Sequence, residues 1–189
     1  MAGQIRFHLP LFVFVCSIFI HLMLVTAAQA KSENSDGVPL IGKSCNVTEF
    51  AKECISVFES DPRSRAAANL TSLVGVGMNI SYEKIKVAKS YFLKAQKNAT
   101  DHWTKEYIDD CLVNYDAAIW QMDNHGFPGF DKRNYEDAIS AVNVCNYAAG
   151  FCAENGVQLY VQENKKLFNF TGAVYEILST LINPSSVLN

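Results

Sequence analysis

Apolar residues recur at spacings of three and four along most of this chain, the pattern of amphipathic helices. Four long segments carry it. In the first, Leu70, Leu73, Val74, Gly77, Ile80, Ile85, Ala88, Tyr91, Phe92 and Ala95 mark one face, up to about Asn98. The second opens at Asp101, a side chain suited to capping a helix, and runs through Trp103, Tyr107, Ile108, Cys111, Leu112, Tyr115, Ala118, Ile119 and Met122. The run Gly126-Phe127-Pro128-Gly129 is read as its end. The third sets Tyr135, Val142 and Ala149 in one seven-residue register and Ala138, Cys145 and Cys152 in another, and the two rows interleave into one stripe. The fourth starts near Gln162 and shows Leu167, Phe170, Val174, Ile177, Leu178 and Leu181 before Pro184 closes it. The connections near 98–101 and 126–134 are short, so the prediction is an all-α, up-and-down antiparallel four-helix bundle. Gly75, Gly77 and Gly172 fall inside helices at a cost of about 1 kcal/mol each. For the first two, close helix packing or weak local helicity is the reading.

Upstream, Lys31 to Lys43 is polar, contains Gly37, Pro39 and Gly42, and is read as a flexible lead-in. Thr48 to Ser60 regains helical spacing through Phe50, Ile55, Val57 and Phe58, until Asp61-Pro62 stops it. Cys45 and Cys54 have eight residues between them. A straight helix over that span would rise roughly 13 Å, whereas a disulfide needs Cα atoms about 4.4–6.8 Å apart. Either the chain folds back between these cysteines, or each pairs elsewhere.

Residues 1–30 have the form of a cleaved secretory signal: Arg6 gives the basic start, Leu9 to Val25 the apolar stretch, and Ala28-Gln29-Ala30 the cleavage site. His21, Ser17 and the small residues that end the stretch argue against a membrane anchor. Residues 31–189 then form one domain of 159 residues. With Arg6 gone, 15 basic residues face 19 acidic ones, a net charge of −4. There is no basic stripe, which excludes nucleic-acid binding, and no remaining apolar run spans a bilayer. Five N-x-[ST] sequons support secretion and glycosylation, at Asn46, Asn69, Asn79, Asn98 and Asn169.

Cys16 leaves with the signal, so Cys45, Cys54, Cys111, Cys145 and Cys152 remain, an odd number in an oxidising setting. Cys45–Cys54 is the local pairing. Cys111 must then choose between Cys145 and Cys152. A turn centred near residue 130 puts Cys111 19 residues before it, Cys145 15 beyond and Cys152 22 beyond, so spacing leaves both open. The cysteine left over reads as a buried thiol acting as a small hydrophobe, with an intermolecular bridge or redox role as the alternative. No C-x-x-C exists and His102 and His125 are far apart, so no metal site or cofactor is expected. Motifs for nucleophilic, zinc or nucleotide chemistry are absent. Asp109-Asp110 is the one close acidic pair of note, but neighbours on a helix do not face each other. Lys105, Lys165 and Lys166 read as solvated surface. A secreted helical bundle without catalytic groups points to a protein-binding role.

Four stretches bear a family likeness. They are Cys45-x8-Cys54 with Thr48; Glu59-Ser60-Asp61-Pro62-Arg63-Ser64 followed by Ala68-Asn69-Leu70; Cys111-Leu-Val-Asn114-Tyr115-Asp-Ala117; and Tyr135-Glu-Asp-Ala138 with Cys152 fourteen residues later. With these the chain resembles the plant pectin methylesterase inhibitor and invertase inhibitor family over nearly all of residues 31–189. The resemblance implies a four-helix bundle with an N-terminal helical hairpin, disulfides Cys45–Cys54 and Cys111–Cys152, and Cys145 as the free thiol. It also implies a protein that is not an enzyme, acts in the apoplast as a monomer before complex formation, and inhibits by covering a partner's active-site cleft.

Some residues depart from the family pattern. Phe151-Cys152-Ala153-Glu154 stands where Thr-Cys-Glu-Asp is usual, Ala51 where proline is common, and the Pro-Lys-Phe of some invertase inhibitors is missing. Asn114 and Glu154 remain as candidate partner-binding residues, with ordinary helix surface as the alternative. The expected function is stoichiometric, non-covalent inhibition of a cell-wall pectin methylesterase, with acid invertase (β-fructofuranosidase) as the alternative target. A non-inhibitory secreted interaction protein on the same scaffold is the second alternative. An animal four-helix cytokine is disfavoured by the short connections. The acidic balance suits a target with a basic rim, and His102 and His125 would add pH dependence near neutrality.

Overall fold

In the computed structural model of the chain, the residues described are 37–154 and 160–182. The expected signal at 1–30, residues 31–36, 155–159 and 183–189 lie outside them. Eight α-helices are found among the described residues: α1 (Gly37–Cys45), α2 (Ala51–Ser60), α3 (Pro62–Arg65), α4 (Leu70–Gln96), α5 (His102–Gln121), α6 (Phe127–Asp131), α7 (Tyr135–Glu154) and α8 (Val161–Ser179). A π-helical turn over Met122–Gly126 joins α5 to α6.

The four long helices form the expected bundle. Helix α4 packs on α5, α5 on α7, α7 on α8 and α8 back on α4, which makes a square with α4–α8 and α5–α7 as opposite sides. Leu73, Met78, Ile85, Ile108, Met122, Ile177 and Leu178 fill the core, with Phe92 tilted against both Tyr107 and Tyr115. The cap read from the sequence at Asp101 is present, and α4 has one that was not read. Asp101 accepts from the Thr104 N–H at 2.9 Å, and Asn69 and Ser72 form a reciprocal capping box at the start of α4.

The hairpin of α1 and α2 lies over the α4–α8 side. Its two cysteines are bonded, with Cα atoms 5.6 Å apart, so the chain does fold back between them. Buried Thr48 fixes the bend by donating its hydroxyl to the Cys45 carbonyl at 2.8 Å. Gly77, in the middle of α4, accounts for the hairpin's depth: a Cβ there would stand 2.9 Å from the Phe58 ring and 3.0 Å from a Val174 methyl. Close packing, not weak helicity, explains this glycine.

Two expectations are corrected. The lead-in is helical from Gly37 onward, with Ile41 wholly buried. Nine residues containing two glycines and a proline make a poor isolated helix; the disulfide and the burial of Ile41 and Cys45 hold it, and Pro39 sits in the first turn where an N–H is dispensable. The second correction concerns Gly126–Gly129, which does not end the second helix. Pro128 falls at the second position of α6, where it is tolerated, and the chain reverses only at 132–134, with Arg133 in the left-handed region at φ 60°.

Candidate functional site

Every three or four residues, α5 and the π-helical turn that continues it present one stripe outward: Trp103, Glu106, Asp110, Val113, Ala117, Trp120 and Asn124, all exposed. Alongside it, α7 presents Glu136, Ser140, Asn143, Tyr147 and Glu154. Four of these are large apolar groups left in solvent, Trp103 at 75 %, Val113 at 67 %, Tyr147 at 62 % and Trp120 at 54 % exposure. Half-buried Phe151 lies with its ring centroid 6.2 Å from that of Tyr147. The ionised groups of both stripes are all acidic: Glu106, Asp110, Glu136 and Glu154. The result is an apolar face with an acidic surround on the α5–α7 side. Nothing in it is a nucleophile backed by a base.

A covalent and polar fastening lies beneath the face. Cys111 and Cys152 are bonded with Cα atoms 5.7 Å apart. The Cys152 carbonyl, near the end of α7, accepts from the Tyr107 hydroxyl and from Asn164 Nδ2, the latter at 2.9 Å. Tyr115 in turn donates to Asn164 Oδ1 at 2.8 Å. Asn164 and Tyr115 are both fully buried, so each polar group of the trio is satisfied where water cannot reach. Burial pushes the ionisation of Tyr115 and Tyr107 upward, which keeps both as donors. Among the described residues Cys145 is the free cysteine, and burial pushes its thiol up to about 12. At that value the thiolate is scarce and the group inert.

The residues singled out from the sequence fall as follows. Asn114 is half-buried on α5, with its Nδ2 donating to the Asp110 carbonyl at 2.9 Å. Glu154 is exposed at the last position of α7. They stand three residues after Cys111 and two after Cys152 on antiparallel helices, hence on opposite sides of the disulfide, roughly 7 Å apart along the axis. His125 packs edge-on against Trp120 at 5.2 Å, and His102 sits 3.7 Å from Glu106. Asp109 and Asp110 diverge, Asp109 accepting from Gln96 at 2.5 Å on the α4 flank while Asp110 faces outward. Among the described residues no group of three or more His, Cys, Asp or Glu could hold a metal ion. Among the same residues, no helix is long and apolar enough to cross a membrane.

The exposed aromatics were not anticipated. Trp103 was placed in the core stripe of its helix, and the structure turns it out. The available signal was phase: Trp103, Val113 and Trp120 follow one another at ten and seven residues, out of register with Tyr107, Cys111 and Tyr115.

Residues 39–167 match the family described as plant invertase/pectin methylesterase inhibitor. A relative from Arabidopsis thaliana, cell wall / vacuolar inhibitor of fructosidase 2, is 32 % identical over 113 residues, or 55 % of this chain and 60 % of that protein's length. Two solved structures of pectin methylesterase inhibitors from Arabidopsis share the fold. One, a mutant form, has a TM-score of 0.62 at 16 % identity, covering 71 % of this chain and 92 % of that one. The other has a TM-score of 0.55 at 15 % identity, covering 76 % and 96 %. The matched stretch takes in nearly all of the hairpin, the four bonded cysteines, helices α4, α5 and α7 and the first turns of α8, and the chain belongs to the plant invertase/pectin methylesterase inhibitor family.

Proposed function

We propose that this protein is a secreted, non-covalent inhibitor that seats its α5–α7 face in the active-site cleft of a cell-wall carbohydrate-active enzyme. The observation that carries the reading is that face: large apolar side chains left in water, a wholly acidic surround and a cross-linked floor. Exposed tryptophan and tyrosine are the side chains most often found at the energetic centre of protein interfaces, and an apolar patch rimmed by charge marks a docking surface. The acidic surround fits a target with basic residues around its cleft and speeds encounter with it at low salt. Inhibition follows from occupancy alone, because substrate and inhibitor compete for one surface. Asn114 and Glu154 flank the disulfide at its middle and would contact the rim of the cleft.

Acid invertase is the first target. The relative that bears on target choice is named as an inhibitor of fructosidase, whereas the pectin methylesterase inhibitor structures, at 15–16 % identity, speak for the fold. Pectin methylesterase is the second reading, favoured by the missing Pro-Lys-Phe. Residues 31–189 act as one extracellular domain after removal of residues 1–30, monomeric until the complex forms. The test is a parallel titration of the disulfide-intact protein against an acid invertase and a plant pectin methylesterase. Near-stoichiometric loss of one activity is expected and names the target; full activity of both at molar excess of the protein would overturn the proposal and leave a binding protein of another kind.

A further inference from the structure

The five sequons are divided between the sides of the bundle in a way that the sequence order conceals. Asn46 lies in the hairpin turn, Asn69 caps α4, Asn79 lies within α4, Asn98 follows its last turn and Asn169 lies on α8. Helices α5 and α7 carry none. They are the pair whose outer stripes expose Trp103, Val113, Trp120 and Tyr147.

The local geometry also separates the five. In N-glycosylation the Asn amide nitrogen displaces the lipid diphosphate from the anomeric carbon of a lipid-linked oligosaccharide. It loses one proton and keeps its second N–H and its carbonyl oxygen. Asn46, Asn69, Asn79 and Asn98 are all exposed. The contacts of the last three survive that change. Asn69 caps through Oδ1, which accepts from the Ser72 N–H at 2.9 Å. Asn79 and Asn98 each need one N–H, toward the Gly75 carbonyl at 2.8 Å and the Lys94 carbonyl at 3.3 Å. Asn169 differs. It is half-buried, and the hairpin is seated across the next turn of its stripe. A Cβ on Gly172 would stand 2.7 Å from the Phe50 ring, Phe168 meets that ring edge-on at 5.7 Å, and the Glu49 N–H reaches Glu176 at 3.1 Å. Sugar on Asn169 would occupy the place where the hairpin packs.

We infer that the secreted protein carries N-glycans at Asn46, Asn69, Asn79 and Asn98 but not at Asn169, and that this distribution keeps the α5–α7 side clear of sugar for its target. The second half rests on the inhibitor reading; the first stands by itself. Glycopeptide mass spectrometry of protein secreted by plant cells decides the first: sugar at the four exposed sites and a bare Asn169 is expected, and an occupied Asn169 or a sugar-free chain overturns it.

Inhibition titrations decide the second. Trimming the native glycans to their first sugar is expected to change the half-inhibitory concentration by less than about twofold, well under the tenfold that 1.4 kcal/mol represents. Cys145→Ser turns Asn143-Val144-Cys145 into a sequon whose acceptor is exposed on α7, and its glycosylated form is expected to lose inhibition by about a hundredfold or more. Cys145→Ala alters the same buried thiol without a sequon and retains inhibition. Cys145→Thr, which completes the same sequon with the other hydroxyl residue, serves as the second variant if Asn143 is not modified in Cys145→Ser. Undiminished inhibition by a variant shown to carry sugar at Asn143 overturns the assignment of the face. A native protein that inhibits neither enzyme overturns the inhibitor reading instead, and the glycopeptide map still judges the sites.

Discussion

The α4–α8 side of the bundle is covered by the hairpin, while the α5–α7 side has no covering layer among the described residues, and the two are held together by different means. On the covered side the contacts are apolar and close: Phe58 lies edge-on to Phe170 at 5.2 Å, with Gly77 beneath it. On the open side the joint is a disulfide of long sequence separation and a buried trio of Tyr107, Tyr115 and Asn164 around one carbonyl. A face reserved for a partner cannot be stabilised by a further layer of its own chain, because that layer would block it. It has to be tied from below, by a covalent link and by hydrogen bonds strengthened by their dry surroundings.

The largest effect should come from cutting the ties themselves. Cys111–Cys152 closes 41 residues of sequence separation and Cys45–Cys54 only 9. Loop-closure entropy then assigns about 4 kcal/mol to the first and about 2.7 kcal/mol to the second. Urea unfolding of Cys111→Ala/Cys152→Ala and of Cys45→Ala/Cys54→Ala would measure both. A hairpin bridge that proved the more costly to lose would reverse the comparison.

Next comes the polar trio. Asn164→Leu removes the acceptor for Tyr115 and one of two donors to the Cys152 carbonyl, leaving the buried Tyr115 hydroxyl unpaired at an expected cost of about 2–3 kcal/mol. Combining it with Tyr115→Phe should recover part of that loss, since the stranded hydroxyl is gone. Additive losses in a double-mutant cycle would show that the three groups do not act as a network.

On the outer surface of the same side the expectation is inverted. Trp120→Ala should leave the unfolding midpoint within about 0.5 kcal/mol, as surface changes do, yet weaken inhibition by about 2 kcal/mol if the side chain anchors the interface. Tyr147→Ala should behave likewise. Parallel loss of stability and inhibition would make these residues structural.

The bundle itself was legible because a period of 3.6 sustained over some twenty residues in each of α4, α5, α7 and α8 admits few other readings. Helix α1 was not, since its stability resides in Ile41, Cys45 and a disulfide to another element rather than in its own nine residues. The partner of Cys111 stayed open for a geometric reason. Centring the turn near residue 130 placed Cys145 and Cys152 almost equally well; the true reversal near 133 puts Cys111 22 residues before it, Cys152 19 after and Cys145 only 12 after. The exposed face was legible only in part. Asn114 and Glu154 were found through a family likeness, but a spacing of three and four alone drew Trp103 into the core row, and only its phase with Val113 and Trp120, out of register with Tyr107, Cys111 and Tyr115, separates the outward stripe from the inward one.

The smallest effect concerns the charged clasp between α3 and α4. Arg63 donates to Asp61 at 2.7 Å and to Glu83 at 2.9 Å, tying α3 to α4. Its hydrogen bonds hold both carboxyls below their usual range. A carboxyl depressed in the folded state binds fewer protons there than in the unfolded chain, where its value is about 3.9 for Asp and about 4.3 for Glu. The clasp therefore contributes in full above those values and fades as pH falls through the lower, folded ones. Being largely solvated, it should supply no more than about 1 kcal/mol. Arg63→Gln is expected to lower the melting temperature slightly at pH 6 and to converge on the parent protein by pH 2, because the parent loses there what the variant never had. A gap that stays constant from pH 6 to pH 2 would mean that Arg63 joins α3 to α4 through its packed stem and not through its charge.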